Sequence, residues 1–162
     1  MSAIQRELEN DHRRLEALFR AALLPDGTIE PESYRAFRAG LLRHIGIEEK
    51  ILFARVRERL GEPLPVFRQL RIEHGALASL LVPTPDHALM HEIRTILEPH
   101  DALEEGETGV YARCLEVLGD DPAILAAIRA FPEPPLNAHY DGPRAIRTAQ
   151  EALASSAKQK FR

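Results

Sequence analysis

Four stretches of this chain repeat their apolar residues at helical spacing, and each stretch interrupts its apolar stripe with a histidine. His12 falls between Leu8 and Leu15, and His74 between Leu70 and Leu77. His44 and Glu48 interrupt Phe37, Leu41 and Leu52, while His100 and Glu104 interrupt Ile93, Leu97 and Tyr111. Side chains four apart lie one above the other on a helix, so each His-x-x-x-Glu pair presents two donors in one direction, towards the core. No period-two alternation is sustained over a strand's length, so the spacing predicts an all-α chain.

The breakers set the boundaries. The first helix is expected from about Ser2 to Leu24, ending before Pro25-Asp26-Gly27, and the second from near Pro31 to Gly61. The third runs from about Pro65 to Val82 and is closed by Pro83-Thr84-Pro85; the fourth runs from about Asp86 to Leu118, before Gly119-Asp120-Asp121-Pro122. Short loops favour antiparallel neighbours, which predicts an up-down-up-down four-helix bundle over residues 1–120. Residues 121–162 form a C-terminal helical extension: a short helix from Pro122 to Phe131, the connector Pro132-Glu133-Pro134-Pro135, either ordered or loose, and a weakly amphipathic helix from Arg144 to Lys160 through Ile146 and Leu153. That last helix packs either on the bundle or on another subunit.

A second signal is an internal echo. Leu41-Leu42-Arg43-His44-Ile45-Gly46-Ile47-Glu48-Glu49, followed by Phe53-Ala54-Arg55, is answered by Leu97-Glu98-Pro99-His100-Asp101-Ala102-Leu103-Glu104-Glu105, followed by Tyr111-Ala112-Arg113. The second copy is longer before its aromatic and contains Gly106 and Gly109, which predicts a local irregularity in the fourth helix. Tyr111 lies two turns from Glu104 on the same face and reads as a core aromatic, with lining of a polar pocket as its other role.

A buried carboxylate without a partner is costly, and the usual escapes are a raised pKa, a pairing charge or a metal ion. Two glutamates and four histidines converging on one level point to the metal, with the carboxylates able to bridge two ions and the imidazoles to cap them. Imidazole and carboxylate without thiolate suit iron, manganese or zinc. At about 1.5 Å per residue His12 and His44 stand at similar depth from their shared turn, whereas His100 stands several residues deeper than His74. His87 and His91 have a ligand-like spacing but align with Arg94, Glu98 and Asp101 on the polar face, with His91 about 180° from His100, and read as solvated. His139 carries no signal.

The remaining composition excludes whole classes. A net charge of -4 with Arg and Glu intermixed offers no basic stripe for nucleic acid. No apolar run approaches the roughly 18 to 20 residues that span a bilayer, and the polar start MSAIQRELENDHRR is unlike a secretory leader, so a cytoplasmic location is expected. The single Cys114 reads as a small core residue, and thiol redox chemistry is not expected.

The arrangement of one inward His, His-x-x-x-Glu, one inward His and His-x-x-x-Glu resembles the hemerythrin-like (HHE cation-binding) family over about residues 5–118. The flanking words Asp11-His12, Glu48-Glu49-Lys50-Ile51-Leu52-Phe53, Glu73-His74 and Glu104-Glu105 agree with it. The resemblance implies two non-haem iron ions: one held by His12 and His44, the other by His74 and His100, with Glu48 and Glu104 bridging them. It departs from the oxygen-carrying members on the third helix, where the positions four residues either side of His74 are Leu70 and Ala78. The set therefore leaves coordination positions open or recruits Asp101, Glu73 or water, and is similar to four-His, two-Glu members that repair iron centres or sense iron.

The expected function is that of a di-iron protein that binds or senses dioxygen, nitric oxide or iron, in iron handling or stress protection, with zinc or manganese as alternative ions. Two other classes compete. A di-iron oxidase-type enzyme would use Glu-x-x-His motifs, of which only Glu9 to His12 occurs, with Glu9 about 60° off the ligand face. A metal-free helical interaction module would need both buried glutamates neutral or paired.

Overall fold

The computed structural model describes residues 1–159 of the 162-residue chain, and among the described residues it is all-helical. The expected end of the last helix at Lys160 and the side chain of Leu153 lie outside what is described. The first rod is α1 (Ala3–Ala22), and the second joins α2 (Pro31–Ile47), a π-turn (Glu48–Leu52) and α3 (Phe53–Leu60) end to end. The third is α4 (Phe67–Leu80), and the fourth is α5 (His87–Glu104) followed by α6 (Val110–Leu118).

Local chemistry sets these ends. Ser2 caps α1 by accepting from the Gln5 amide at 3.0 Å, and Asp120 takes the Ala3 amide at 2.9 Å and the Ile4 amide at 3.2 Å. Glu30 accepts from Glu32 and Ser33 at the start of α2, where Pro31 fits the first turn. Asp86 caps α5 through the Leu89 amide at 2.8 Å. Gly61, at φ 82°, closes α3 in the left-handed conformation that other residues rarely adopt.

The rods alternate in direction. Two apolar clusters fill the bundle, one around Leu8, Ile47, Leu52, Leu70 and Tyr111, the other around Leu15, Leu41, Leu77 and Ile96. Along α1 the chain passes from the first cluster to the second, along the second rod back again, along α4 forward, and along the fourth rod back. That is the up-down-up-down order, and on every rod the histidine stands between the clusters. Each fully buried aliphatic side chain contributes about 1.5–3 kcal/mol, so the two clusters hold the rods while the layer between them is left to polar groups.

The irregularity expected at Gly106 and Gly109 is a full break after Glu104, which divides the fourth rod where one continuous helix was expected. Glu105 turns to extended backbone, Gly106 takes φ 85°, and a Cβ on Gly109 would strike the carbonyl oxygens of Glu104 and Glu105. Replacing Gly109 with Ala should therefore cost about 1–3 kcal/mol in chemical denaturation, the range for overpacking a tight site. The depth mismatch between His74 and His100 is resolved in the link before α5. Residues 81–86 climb to the level of the first turn, where His87 Nε2 meets the Thr28 carbonyl at 3.2 Å, so the extra residues of α5 bring His100 back down to His74.

The tail follows the bundle. In α7 (Pro122–Ala130), Ile124 and Ile128 enter the first cluster. The Pro-rich connector is ordered along α2: Arg43 donates to the carbonyls of Ile128 at 2.9 Å and Phe131 at 2.7 Å, and Arg38 to that of Asn137 at 2.8 Å. Then α8 (Pro143–Gln159) packs along α4. No helix among the described residues is long and apolar enough to cross a membrane.

Candidate metal centre

The polar layer between the clusters is built from six buried side chains: His12, His44, Glu48, His74, His100 and Glu104. They form two groups whose donor atoms lie within 4.8 Å of one another, His12 with His44 and His74 with His100, and both groups contain Glu48 and Glu104. His12 Nε2 is 2.9 Å from His44 Nε2, and His74 Nε2 is 3.2 Å from His100 Nε2. Each carboxylate is divided between the groups. Glu48 places Oε1 3.3 Å from His44 Nε2 and Oε2 3.0 Å from His74 Nε2. Glu104 places Oε2 3.4 Å from His12 Nε2 and Oε1 3.2 Å from His100 Nε2.

The π-turn begins at Glu48. Its wider turn, with the Phe53 amide bonded to the Glu48 carbonyl, brings two consecutive acids to bear on the layer, Glu48 inside it and Glu49 on the outer side of His74. Such turns inside α-helices are frequent at functional sites. The break after Glu104 does the same on the fourth rod, with Glu104 inside and Glu105 turned to the outer side of His12.

All four imidazoles are held from behind. His12 Nδ1 donates to Glu105 at 2.7 Å, His44 Nδ1 to Asp11 at 2.9 Å, His74 Nδ1 to Glu49 at 3.1 Å and His100 Nδ1 to Glu73 at 2.7 Å. A carboxylate only accepts, so each ring carries its proton on Nδ1 and turns the Nε2 lone pair to the centre. Backing of this kind orients metal-bound histidines and raises their basicity. The sequence reading had not assigned these four acids this role, although two acid-His words and two Glu-Glu words announce them.

The electrostatics favour positive charge in the layer. Burial pulls the His12 pKa down, but hydrogen bonds to Glu104 and Glu105 and the charges of Asp101 and Glu104 push it up to about 10. For His44 the opposition of burial and the Glu48 and Asp11 carboxylates ends at about 9. His74 and His100 are likewise raised against burial by their acids, and Glu48 and Glu104 are lowered against burial by the facing histidines. Burial lifts Asp11, yet its hydrogen bond to His44 and the charge there bring it to about 2, whereas burial leaves Asp101 at about 6.

Protons alone serve this layer poorly, because two N–H groups cannot point at each other across 2.9 Å. Glu48 Oε2 and Glu104 Oε1 have only histidine nitrogens beside them, His74 Nε2 at 3.0 Å and His100 Nε2 at 3.2 Å, and neither contact is well aligned for a hydrogen bond. A metal ion in each group would satisfy these atoms. Ligands held about 2.1 Å from an ion at right angles lie about 3.0 Å apart, which is the spacing of the facing nitrogens.

Tyr111 combines the two roles that its place on the stripe offers. Its ring belongs to the first cluster, but its hydroxyl enters the layer, donating to Glu48 Oε1 at 2.5 Å and standing 3.0 Å from His12 Nε2 and 3.1 Å from His44 Nε2 and Glu104 Oε2. Asp101 lies at the rim, its Oδ1 3.8 Å from His12 Nε2. Glu9 is buried but turned away, accepting from Gln5 at 2.9 Å and the Gly106 amide at 3.2 Å. His87, His91 and His139 are exposed. Cys114 is buried in the first cluster, its thiol pushed up to about 12 by burial, and so unsuited to be a nucleophile.

No curated protein and no solved structure gives a significant match to this chain. The model of one family does match: the hemerythrin HHE cation-binding domain aligns with residues 3–111, a span that contains all six buried polar residues of the layer. With its helical bundle and its paired His and Glu groups, the chain belongs to the hemerythrin HHE cation-binding family.

Proposed function

We propose that this is a non-haem di-iron protein that binds a small diatomic ligand, dioxygen or nitric oxide, in stress protection or iron handling. In this reading His12 and His44 would hold one ion and His74 and His100 the other, with Glu48 and Glu104 shared between them. The observation that carries it is the division of both carboxylates between two pairs of imidazoles whose lone pairs face inward. Helical bundles with paired bridging carboxylates are typical hosts of di-iron sites, and a donor set without thiolate suits iron. Bound iron supplies the reversible ligand binding and redox chemistry that no side chain here has.

The chain's own residues decide which ligand fits. Beside the layer an enclosed cavity of about 10 Å³ is lined by Leu15, Leu41, Ile45, Leu77 and Leu97 together with His12, His44, His100 and Asp101. That is room for about one water-sized molecule. Its five aliphatic side chains favour an uncharged diatomic beside the polar side, to which Glu48 also belongs. The metal-free module is disfavoured by the facing imidazole nitrogens, which cannot both carry protons across 2.9 and 3.2 Å.

The test is ligand addition to anaerobically loaded protein. Iron(II)-loaded protein should give new, saturable absorption bands on exposure to nitric oxide and to dioxygen. Protein that holds its iron and responds to neither contradicts the ligand reading, and preferential retention of zinc over iron contradicts the iron.

A further inference from the structure

The internal echo relates the two halves of the metal centre, and two of its mismatches concern side chains beside the layer. Within the matched segments Ile45 answers Asp101 and Phe53 answers Tyr111. Both differences add oxygen, and both oxygens go to the same pair of histidines. The Tyr111 hydroxyl stands 3.0 Å from His12 Nε2 and 3.1 Å from His44 Nε2, and Asp101 Oδ1 lies 3.8 Å from His12 Nε2.

The other half receives carbon instead. The Phe53 ring lies parallel to His74, 8° between planes with centroids 6.2 Å apart, and stacks on Phe67 at 4.0 Å. Ile45 packs against the second apolar cluster. Access is unequal too, because a cleft of about 360 Å³ between α1 and α5, flanked by Arg13, Glu16, Arg94 and Glu98, reaches His12 and Asp101.

We propose that Tyr111 and Asp101 make the two metal positions unequal: the one at His12 and His44 binds its ion first and with more oxygen donors, and the one at His74 and His100 binds second with fewer. The inference rests on the metal reading above. Its geometry is that of added ligands. Around an ion bound at about 2.1 Å, neighbouring donors lie about 3.0 Å apart, and the Tyr111 oxygen holds that distance to His12, His44 and Glu104. Tyr111 is fully buried and Asp101 stands at the rim, so the hydroxyl is the fixed donor and the carboxylate the one that meets an incoming cation. A hard oxygen donor also favours a harder ion at this position.

Cobalt(II) titration of the metal-free full-length protein tests this, since visible cobalt absorption reports coordination number. The wild type should bind cobalt in two resolved steps, the first weakly absorbing as expected of higher coordination. Tyr111→Phe, which installs the residue the echo carries at Phe53, should weaken the first step by about 10- to 100-fold and the second much less, through the carboxylates that both positions share. Asp101→Asn, at a rim position where the fold tolerates change, should act in the same direction and more weakly. Two equal, unresolved steps in the wild type overturn the proposal, as does a Tyr111→Phe or Asp101→Asn protein with both constants unaltered. A folded wild type that binds no cobalt rejects the metal reading itself, which is a separate result.

Discussion

Glu48→Gln should lower bound metal from about two ions per chain to less than about one, because Glu48 is the anionic donor shared by both groups. Its two oxygens lie 3.3 and 3.0 Å from histidine nitrogens on opposite sides, and neither is exposed to solvent. An amide offers one neutral oxygen and an NH2 group that repels a cation. Glu49→Gln makes an informative comparison, since Glu49 only backs His74 from outside at 3.1 Å and should cost about 10- to 100-fold in affinity without abolishing binding. If the layer were a hydrogen-bonded network without metal, neither variant would change metal content, and Glu48→Gln would instead lower stability, because removing one partner of a buried charged group leaves the others unpaired.

Stripping the ions with a chelator should lower the melting temperature by about 8–16 °C. A ligand present at 1,000 times its dissociation constant stabilises by about 4.1 kcal/mol, and each kcal/mol moves the midpoint of a chain this size by about 2–4 °C. The sign follows from the layer itself. Without cations, two carboxylates and four lone pairs face one another between two apolar clusters, and the protons that the histidines attract cannot occupy both nitrogens of a facing pair. The Glu48→Gln, Glu104→Gln double variant removes the repulsion along with the ligands, so its melting temperature should be indifferent to chelator. Calorimetry with and without chelator on both proteins checks the pair of expectations.

Much of this was legible because burial of polar groups breaks an otherwise apolar pattern. His12 between Leu8 and Leu15, and His74 between Leu70 and Leu77, can only face the core if those leucines do, and the Pro and Gly words between stretches mark the turns. The π-turn was not legible. Glu48–Leu52 contains no Gly or Pro, and its extra residue per turn comes from tertiary demands on Glu48 and Glu49 rather than from local propensity.

The place of the Tyr111 hydroxyl in the layer was legible only as the second of two roles, for a related reason. A tyrosine on an apolar stripe is usually a core ring, and the aim of its hydroxyl depends on how residues 105–109 rephase α6, which spacing cannot supply. The connector was undecidable because Arg38 and Arg43 read as ordinary helix-surface cations, and the carbonyls they hold lie about ninety residues away in sequence. The four acids behind the histidines were visible as words but not as roles, since an acid beside a histidine on one helix serves the histidine of another.

The most direct test of the central claim is metal content by plasma emission on the full chain purified without chelator and loaded anaerobically with iron(II). About two irons per chain, lost together in the Glu48→Gln variant, is the result the account predicts. Folded protein that emerges metal-free and takes up no iron would contradict it.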